Sequence, residues 1–575
     1  MTTKFTKRIV IDCETTSNHK TIHCVVTKDI DSGEVKVWSN PSNLWAYIED
    51  SLLIGHNLLG FDSVILNSIW KTKIRMSQCF DTLVLSRLLD PSKTDGHSLE
   101  AWGKILGNHK ADYLNIWKWI TQPIEYVKGM EWDNPHMPLL IDYCKQDVEV
   151  TEQLYHHLLK VKEEKEFSDE SVDLEHKVAA IITKQIKNGF KLDVQYATGL
   201  LADIKREMDG VYEQLQQRWP SYERERFSEK TGKQLKSETI TFNPGSRQQI
   251  GEKLKELGWK PEKFTETGQP QVDEVVLMHV DIPEAKMIAR YLLLQKRVSQ
   301  IEQWFDALGD DGRIHGRVIT NGAVTGRMTH MSPNMAQIPN AGSVYGHECR
   351  QCWTVEQGNV LVGCDASGLE LRMLAHYMKD EKYVHTVTNG SSKEGTDVHT
   401  VNQKAAGLPT RDAAKTFIYA FLYGAGDAKI GSIVGGTATE GRKLKAKFLK
   451  QTPALSKLIE SVGKYAAKGY VPGLDGRRIW VRSEHAALNS LLQGAGAVVM
   501  KKALVLFMET VHKNRWDVKL VANVHDEIQF ECSPEIADAA GKACKQAIID
   551  AGVAFKLRCP LDGEYKIGNN WKETH

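Results

Sequence analysis

The chain has 575 residues, and at a typical ~100–200 residues per domain it is long enough for about three to five domains, which excludes a single small binding module. Hydrophobic residues make up 41% of the chain and charged residues 26%, a composition of ordinary folded protein that excludes wholesale disorder and a collagen-like fibre. The net charge of +1, from 74 basic and 73 acidic residues, leaves nucleic-acid binding open, because a binding groove depends on local charge.

The N-terminal segment and the cysteines indicate the cellular compartment in which the protein is expected. Residues 1–16 lack the apolar core of a signal peptide, and no run of ~18 uninterrupted apolar residues predicts a membrane span. The ten cysteines are few for a chain of this length and are scattered along it. We therefore expect a cytoplasmic protein without membrane contact, whose cysteines are reduced core thiols.

The order of the predicted elements changes along the chain. Residues 8–90 alternate apolar strands with helical segments, which predicts an α/β domain. From Ala197 onward, apolar residues recur at helical spacing until Trp219 and Pro220 end the pattern, so a long amphipathic helix begins a different domain. Residues 221–240 are polar and mixed in charge, which predicts an exposed excursion between helices. The C-terminal half mixes strands with long helical patterns and is predicted to be α+β.

A first group of acidic residues lies in the N-terminal region. Asp12 and Glu14 are two apart in an apolar strand, so their side chains leave the same face about 7 Å apart and suit one metal site. By themselves they are equally compatible with a solvated strand end. Asp62 follows in the segment HNLLGFD, and Tyr143 and Asp147 are four apart on a predicted helix. Four acids and a tyrosine thus form one pattern.

A second group of acidic residues lies in the C-terminal half. Asp365 ends the apolar strand VLVGCD, and Glu370 follows five residues later, where a helix should begin. Far along the chain, His525, Asp526 and Glu527 stand between two apolar strands, which predicts a hairpin with an acidic tip. Acids are common in solvated turns, so only the two segments together indicate a site.

A stripe of cations and aromatic rings lies between these two segments. The segment RDAAKTFIYAFLYGAG places Arg411, Lys415, Tyr419 and Tyr423 at successive four-residue intervals, on one face of a helix. Aromatic stripes usually serve core packing, but two cations make a wholly buried face costly. The face is therefore suited to hold phosphate and base together.

The first pattern resembles the DEDD-type 3′→5′ exonucleases of the tyrosine subclass. The resemblance implies that Asp12, Glu14, Asp62 and Asp147 bind metal and that Tyr143 orients the attacking water. Such acids suit a site of two metal ions, in which one generates hydroxide and the other stabilises the leaving oxygen.

The second pattern and the stripe resemble motifs A, C and B of the family A DNA polymerases. The resemblance implies that Asp365 and Asp526 hold two Mg²⁺ ions with support from Glu527. It implies contacts to the incoming dNTP from Arg411, Lys415, Tyr419, Tyr423, His399 in the segment TDVHT, and Glu370, which would crowd a ribose 2′-hydroxyl. It implies contacts to DNA from Arg327, Gln337, His485, Asn489, Gln493 and His525. In isolation, polar residues such as Asn489 and Gln493 at helical intervals are more typical of a solvated face.

The resemblance covers essentially the whole chain and is closest to the replicative DNA polymerases of T-odd short-tailed bacteriophages. It implies an α/β ribonuclease H-like 3′→5′ exonuclease domain at 1–165, followed by an α+β right-hand polymerase domain. The thumb is expected at 170–305, the palm at 306–379 and 489–575, and the fingers at 380–488.

The implied reaction is template-directed attack of a primer 3′-hydroxyl on the α-phosphate of a dNTP, with two Mg²⁺ ions at each of the two sites and Mn²⁺ as a substitute. The implied partners are primer-template DNA, dNTPs, a phage helicase-primase and a single-stranded DNA-binding protein, for a monomer in the cytoplasm of an infected bacterial host. In close phage relatives a long basic thumb insertion recruits host thioredoxin. Residues 221–240 are too short and too nearly neutral for that role, so we expect synthesis without thioredoxin.

Other functions stay open. A single-subunit RNA polymerase shares much of the palm and fingers, but Glu370 and the exonuclease pattern argue against it. A DNA-holding replisome scaffold with inactive sites is disfavoured because every expected metal ligand is present. A nuclease-only enzyme leaves the stripe of residues 411–423 unexplained.

Overall fold

The structure, a computed structural model, describes residues 5–227, 230–265 and 267–575. Its N-terminal part is built on a mixed sheet with the strand order β3-β2-β1-β4-β5. The strands are β1 (Lys7–Thr15), β2 (Ile22–Asp29), β3 (Val35–Trp38), β4 (Ser51–Gly55) and β5 (Cys79–Asp81). Strand β1 pairs antiparallel with β2 and parallel with β4, so it lies at the centre of the sheet. The α/β prediction for residues 8–90 is confirmed.

Helices cover this sheet. They are α1 (Leu44–Ile48), α2 (Asp62–Ile69), α3 (Thr82–Leu89), α4 (Leu99–Ile105), α5 (Tyr113–Thr121), α6 (Met130–Asp133) and α7 (Met137–Glu164). Asp81, Ser98 and Asp112 cap the starts of α3, α4 and α5 by accepting backbone N–H groups. The long helix α7 packs along β1 and β2, which brings its inward side chains to the centre of the sheet.

The next part of the chain is mainly helical. It contains α8 (Asp169–Asn188), β6 (Phe190–Leu192), α9 (Val194–Arg218), β7 (Tyr222–Phe227), β8 (Gln234–Ile240), α10 (Arg247–Glu256), α11 (Glu274–Met278) and α12 (Pro283–Asp306). The helix predicted from Ala197 is α9, which begins at Val194 after an Asp193 cap and ends before Trp219. That prediction is confirmed, with a start three residues earlier.

The exposed excursion predicted at 221–240 is an antiparallel hairpin of β7 and β8. Its described strand residues are exposed except for Ile240, which is half-buried. Ser228 and Glu229 lie outside the described residues. The exposure is confirmed, whereas the pairing of the two strands was not predicted from the sequence.

A second large sheet, antiparallel throughout, has the order β16-β17-β13-β18. Its strands are β13 (Val360–Ala366), β16 (Lys519–Val524), β17 (Glu527–Cys532) and β18 (Gly563–Gly568). Smaller elements precede it: β9 (Arg313–Ile314), β10 (Arg317–Ile319), β11 (Thr329–Met331), α13 (Gly346–Gln351) and β12 (Trp353–Thr354). The hairpin with an acidic tip is β16 and β17, so this prediction is confirmed.

Helices and one small hairpin connect β13 to β16. They are α14 (Leu369–Met378), α15 (Glu381–Asn389), α16 (Val398–Ala406), α17 (Arg411–Leu422), α18 (Asp427–Ser432), α19 (Ala438–Gln451), α20 (Pro453–Ala466), β14 (Tyr470–Pro472), β15 (Arg478–Trp480) and α21 (Glu484–Asn514), and α22 (Pro534–Ala554) follows β17. The α+β prediction for the C-terminal half is confirmed.

Helix α21 is, within the described ranges, the one helix long and apolar enough to cross a membrane. Most of its apolar stretch, 83%, is buried inside the protein. Core helices of soluble proteins meet the same criteria of length and composition, so α21 is weak evidence for a membrane span.

A cluster of buried charges, called the buried ion cluster below, joins distant segments. Lys501 on α21 donates to Glu175 on α8 at 2.7 Å and to the side-chain oxygen of Asn321 at 2.8 Å. Arg477, in the turn between β14 and β15, lies 2.7 Å from the same Glu175 carboxylate and 2.6 Å from Asp475. The cluster thus fixes α8, α21 and the β14–β15 turn to one another.

The β14–β15 hairpin also touches the N-terminal α/β unit. The indole N–H of Trp480 donates to the carbonyl of Leu89 at 3.0 Å. The backbone N–H of Ser168 donates to the carbonyl of Gly476 at 3.3 Å. Although the hairpin falls within the range predicted for the fingers, these contacts attach it to the N-terminal α/β unit and to the start of α8.

All ten cysteines are buried and free. This agrees with their interpretation as core thiols.

Candidate active sites

The first acidic group gathers at the end of β1. Asp12 and Glu14 leave this strand, and α7 brings Cys144 against them. The thiol of Cys144 donates to Asp12 Oδ2 at 3.2 Å. Side-chain ligand atoms of these three residues all lie within 4.8 Å of one another, a spacing compatible with a shared metal ion.

Two further acids complete this first cluster. The backbone N–H of Cys13 donates to Asp62 Oδ1 at 3.0 Å, which holds Asp62 beside β1. Asp147 on α7 forms an ion pair with Lys110 at 2.6 Å. Its other oxygen, Oδ1, is buried without a hydrogen-bond partner among the described residues. The structure therefore brings the four predicted acids together.

The electrostatics of the first cluster favour a cation. Burial, followed by the charges of Asp62 and Glu14, raises the pKa of Asp12 well above its usual range. Burial also raises the pKa of Asp62 to about 7. Burial and then the charge of Asp147 raise the pKa of Glu14. These oxygen donors are short of positive charge, and Asp147 Oδ1 is unpaired, so the residues fit a divalent cation.

Tyr143 lies one turn before Asp147 and faces the same region. The ammonium of Lys110 is 4.5 Å from the centre of its ring. The rings of Tyr113 and Trp132 pack against it at 5.2 and 6.0 Å. Burial raises the pKa of Tyr143 to about 12, so the hydroxyl keeps its proton at neutral pH.

The second acidic group forms where β13 meets the β16–β17 hairpin. Asp365 pairs directly with Glu527 across the sheet. His525 and Asp526 form the two-residue turn, with His525 in the left-handed region at φ 57°. The backbone N–H of Ala366 donates to the carbonyl of Asp526 at 3.0 Å, which ties the turn to β13. The three predicted acids are therefore neighbours.

Burial raises the pKa of acids in this second cluster as well. Burial, then the charges of Asp526 and Glu527, raises the pKa of Asp365 to about 7. Burial also raises the pKa of Asp526. Asp365 stays open to solvent on an otherwise buried strand, so its carboxylate is accessible to a cation. A paired set of accessible carboxylates suits Mg²⁺ coordination.

Glu527 differs from its two neighbours. The indole N–H of Trp571 donates to its Oε1 at 2.7 Å, the side chain of Gln529 donates to the same oxygen, and His575 Nδ1 lies 3.3 Å from its Oε2. Although burial opposes it, hydrogen bonds from His575, Gln529 and Trp571 lower the pKa of Glu527. This carboxylate is thus held charged and fixed in place by protein donors.

Helix α17 carries the predicted stripe. Arg411 forms a 3.0 Å ion pair with Asp397, while Lys415 is exposed. The rings of His399 and Tyr419 lie 6.2 Å apart, and His399 Nδ1 is buried without a hydrogen-bond partner among the described residues. Two cations, an imidazole and a phenol therefore lie along one face of α16 and α17.

Glu370 links this stripe to the second cluster. The hydroxyl of Tyr423 donates to Glu370 Oε1 at 2.7 Å, and Arg327 donates to the same oxygen at 3.2 Å. Glu370 lies in the first turn of α14, four residues after β13 ends at Ala366. Its carboxylate is thus fixed from two sides, close to Asp365 in the chain.

The remaining predicted DNA contacts are more dispersed. Gln337 lines a groove of about 790 Å³ between α12 and the segment 333–343. His485 is exposed at the start of α21, and Asn489 and Gln493 follow on it, half-buried. His525 lies with Arg327 on the wall of a small cavity of about 20 Å³. The structure does not bring Gln337 together with the residues on α21.

Sequence reasoning missed several side chains that complete these sites. They are Lys110 and Cys144 at the first cluster, Asp397 beside Arg411, and Trp571 and His575 at Glu527. Asp397 lies two residues before His399 in the segment TDVHT, so the sequence itself places it close to a predicted dNTP contact. The others have none, because their partners are distant in the chain.

Comparisons with known proteins agree with this architecture. Residues 172–573 match the model of DNA polymerase family A. The chain is 37% identical to a DNA-directed DNA polymerase of Enterobacteria phage T3 and to one of Escherichia phage T7, in each case over 96% of this chain and 97% of the relative. Both alignments extend over 694 positions, so these relatives contain insertions that this chain lacks.

The fold matches a solved structure along nearly its whole length. The POL domain of Pol1 from M. smegmatis, in complex with DNA primer-template and dNTP, superposes with a TM-score of 0.78 at 18% identity. The match covers 99% of this chain and 96% of that one. The resemblance of the sequence is thereby confirmed: the chain belongs to DNA polymerase family A and shares its DNA-directed DNA polymerase activity.

Proposed function

We propose that the protein is a replicative DNA polymerase with a separate 3′→5′ proofreading exonuclease. The observation that carries this proposal is the presence of two carboxylate clusters on different sheets. The first includes Asp12 and Asp147, and the second includes Asp365 and Asp526. Each cluster is short of positive charge, as expected for a site that holds metal ions.

At the polymerase site, Asp365 and Asp526 would hold two Mg²⁺ ions, with Mn²⁺ as a substitute. Bound Mg²⁺ would lower the pKa of the primer 3′-hydroxyl and screen charge that develops on the phosphates. Glu527 supports Asp365 across the strand pair, and its donors keep it in position. The protein side chains thus fix where the primer end and the dNTP meet.

The face of α16 and α17 is suited to bind the incoming dNTP. Arg411, Lys415 and His399 would contact the triphosphate, because cationic and imidazole N–H groups donate strong hydrogen bonds to phosphate oxygens. Tyr419 would lie beside the sugar and Tyr423 near the templating base. Glu370, held by Tyr423 and Arg327, would exclude a ribose 2′-hydroxyl.

The exonuclease proposal rests on the first cluster and its sheet. A five-stranded order with β1 at the centre, antiparallel to β2 and parallel to β4, supports a ribonuclease H-like domain. Asp12, Glu14, Asp62 and Asp147 would bind two Mg²⁺ ions, and Tyr143 would orient water. When metal binds, Lys110 would give up its ion pair with Asp147 and be free to meet a phosphate.

The domain ranges stay as we predict them from the sequence. We propose an exonuclease domain at 1–165, of which residues 1–4 lie outside the described residues, a thumb at 170–305, a palm at 306–379 and 489–575, and fingers at 380–488. Arg327, Gln337, His485, Asn489, Gln493 and His525 would contact DNA. Minor-groove acceptors are nearly the same for every correct base pair, so such contacts suit any sequence.

Partners are proposed on the same basis. The phage relatives support a role in the cytoplasm of an infected bacterial host. A helicase-primase and a single-stranded DNA-binding protein are proposed as partners from the resemblance of the sequence alone. We propose synthesis without thioredoxin because the hairpin at 222–240 is short.

One assay tests both activities. A labelled primer on a template is incubated with Mg²⁺, with and without dNTPs, to follow extension and degradation together. Asp365→Asn is expected to abolish extension and spare degradation, whereas Asp12→Ala with Glu14→Ala does the reverse. Asp550→Asn, an exposed acid on α22, is the matched control and should change neither. Loss of both activities in a folded single-site variant would contradict two independent sites.

The alternatives are not favoured. An inactive scaffold would not extend the primer with any metal or template, and a nuclease-only enzyme would degrade it without extending it. The family match supports extension.

A further inference from the structure

A pocket in the N-terminal α/β unit, called the Lys93 pocket below, lies away from the carboxylate cluster of that unit. It has a volume of about 380 Å³ and is lined by Lys93, Trp102, His157 and Lys165. His157 and Asp147 both lie on α7, about 15 Å apart along the helix axis at a rise of about 1.5 Å per residue. The volume falls in the range of about 300–1,000 Å³ that is typical of small-molecule sites.

Lys93 places a buried ammonium group in this pocket. Its side chain is 9% exposed, and Nζ has no hydrogen-bond partner among the described residues. Oδ2 of Asp95 is 3.8 Å from this nitrogen, which is too long for a hydrogen bond. A buried charge without hydrogen bonds is unfavourable. The ammonium therefore has donors to offer to an anionic ligand.

The loop between α3 and α4 holds Lys93 in this position. The backbone N–H of Lys93 donates to the carbonyl of Asp90, and that of Gly96 donates to the carbonyl of Lys93, each at 3.3 Å. Gly96 has a φ of 78°, a conformation that glycine adopts without strain. The loop turns back towards α4, where the ammonium of Lys93 is 4.8 Å from the centre of the Trp102 ring. The charge is thus fixed beside an aromatic wall.

Trp102 and His157 form this aromatic wall. Their ring centres are 5.6 Å apart. The indole N–H of Trp102 donates to Ser86 Oγ at 3.0 Å, which fixes its ring. The ring of His157 is half-buried and makes no hydrogen bond within the described ranges. Every nucleobase has a flat face that stacks on aromatic rings, so the wall suits a base as part of the ligand.

A second cation lies where the pocket adjoins the β14–β15 hairpin. Lys165 Nζ is 4.8 Å from the ring centre of Trp480 and forms no ion pair in the described part of the chain. Leu89, which also lines the pocket, accepts the indole N–H of Trp480 at 3.0 Å. The pocket therefore borders the contact between the N-terminal unit and the hairpin, with a second positive charge at that border.

The acids of the pocket leave Lys93 without a hydrogen bond. Asp90 Oδ1 instead accepts the backbone N–H of Ser92 at 3.2 Å and its hydroxyl at 3.0 Å. The side chain of Asp95 is 73% exposed, so water solvates its carboxylate. Lys93 and Lys165 thus keep donors for a phosphate group, which forms strong hydrogen bonds with ammonium groups.

We propose that the Lys93 pocket binds one nucleotide, with its phosphate on Lys93 and its base against Trp102 and His157. A buried ammonium favours phosphate, an aromatic wall favours a base, and the volume admits a single nucleotide. A free nucleotide and the end of a DNA strand present the same phosphate and base, so both are sources of this ligand. The inference goes beyond the two proposed active sites and depends on neither of them.

Photo-crosslinking tests the location of the site. The full-length protein is irradiated with 8-azido-dAMP in EDTA, which keeps divalent metal from both carboxylate clusters, and modified peptides are identified by mass spectrometry. We expect modification within residues 86–105 or 153–165, and excess dAMP should prevent it. Lys93→Met should raise the probe concentration for half-maximal modification about tenfold, because a charge-assisted hydrogen bond is lost. Lys104→Met removes an exposed cation that pairs with Glu100 and is the matched control, which should change nothing.

Competitors test the chemistry of the ligand and separate its sources. Deoxyadenosine and inorganic phosphate should each compete about tenfold less well than dAMP, because each lacks one of the two groups that the pocket recognises. Stronger competition by a short oligo(dA) than by dAMP would assign the pocket to the end of a DNA strand. Equal or weaker competition by the oligonucleotide would assign it to a free nucleotide.

Two results would overturn the inference. The first is modification confined to other segments, or modification that Lys93→Met leaves unchanged in a protein with an unaltered thermal transition. The second is competition by inorganic phosphate as strong as that by dAMP, since the pocket would then bind an anion and not a nucleotide. His157→Ala removes part of the aromatic wall and should also weaken modification, so it supplies the same test if Lys93→Met does not fold.

Discussion

Replacing Arg477 with methionine tests how strongly the buried ion cluster holds the polymerase half together. The Arg477 side chain is 3% exposed. Its guanidinium donates to both oxygens of Asp475 at 2.6 to 3.0 Å and lies 2.7 Å from Glu175. Methionine keeps most of the volume but removes the charge. Asp475 would then be buried without a cation, whereas Glu175 would keep Lys501.

The expected loss of stability is large. Removing one partner of a buried pair costs about 3–5 kcal/mol, because the remaining charge is left uncompensated. Although burial opposes it, the charges of Asp475 and Glu175 raise the pKa of Arg477, so the cluster favours the charged guanidinium. Since Glu175 keeps a second cation, we expect about 3 kcal/mol, the lower end of the range.

Thermal unfolding, followed by tryptophan fluorescence at pH 7, measures this loss. For a cooperative unit of 150–250 residues, about 3 kcal/mol corresponds to a fall of about 6–12 °C. Arg478→Met is the control: its partner Glu166 is 80% exposed, so it should cost about 1 kcal/mol or less. Adding Asp475→Asn to Arg477→Met should restore part of the stability. If Arg477→Met lowered the transition no more than Arg478→Met, the reasoning would be refuted.

Further predictions concern sugar selection, titration and processivity. Glu370→Ala is expected to lower the preference for dNTPs over rNTPs by about two orders of magnitude, measured as the ratio of the two kcat/KM values on one primer. Tyr423→Phe removes one hydrogen bond to Glu370 and is expected to lower this preference by a smaller factor. By the family resemblance, the phenol of Tyr419 would take the place of the 3′-hydroxyl that a dideoxynucleotide lacks, so Tyr419→Phe is expected to make the enzyme reject dideoxynucleotides more strongly. Unchanged termination ratios would remove that role. Burial lowers the pKa of Lys501 from 10.5 to about 8. Between these two pH values the unfolded chain binds more protons than the folded protein. The free energy of unfolding should therefore rise by about 3 kcal/mol as the pH rises from about 8 to 10.5. Lys501→Met should lack this rise, and identical pH profiles would contradict it. When excess competitor DNA traps any polymerase that dissociates, the length of the product should fall as the salt concentration rises. This length should be the same with and without host thioredoxin, and a large thioredoxin-dependent lengthening would contradict the prediction.

Local spacing predicted those parts of the sites that lie within one element. The alternation of β1 placed Asp12 and Glu14 on one face, and the apolar run before Asp365 predicted a strand end. The turn at His525 and Asp526 was visible because two apolar strands flank it. Within a strand, the backbone period decides which face a side chain points to.

Contacts between distant segments were not predictable in this way. Lys110 reaches Asp147 across 37 positions, and Trp571 reaches Glu527 across 44. The buried ion cluster joins Glu175 to Lys501 across 326 positions. No local period connects such positions, because they depend on how whole elements pack. Resemblance to a family supplied the roles of motif residues, but it did not reveal these partners.

The burial of every native thiol makes the chain ready for site-specific fluorescent labelling. A buried cysteine reacts slowly with maleimides, so a dye would attach to a single introduced cysteine without removal of the ten native ones. Ser237 on the exposed β8 strand and Lys443 on α19 are both solvent-exposed and suit such replacements. Energy transfer between dyes at these two positions would then report, molecule by molecule, how α19 moves relative to the β7–β8 hairpin as each nucleotide is added.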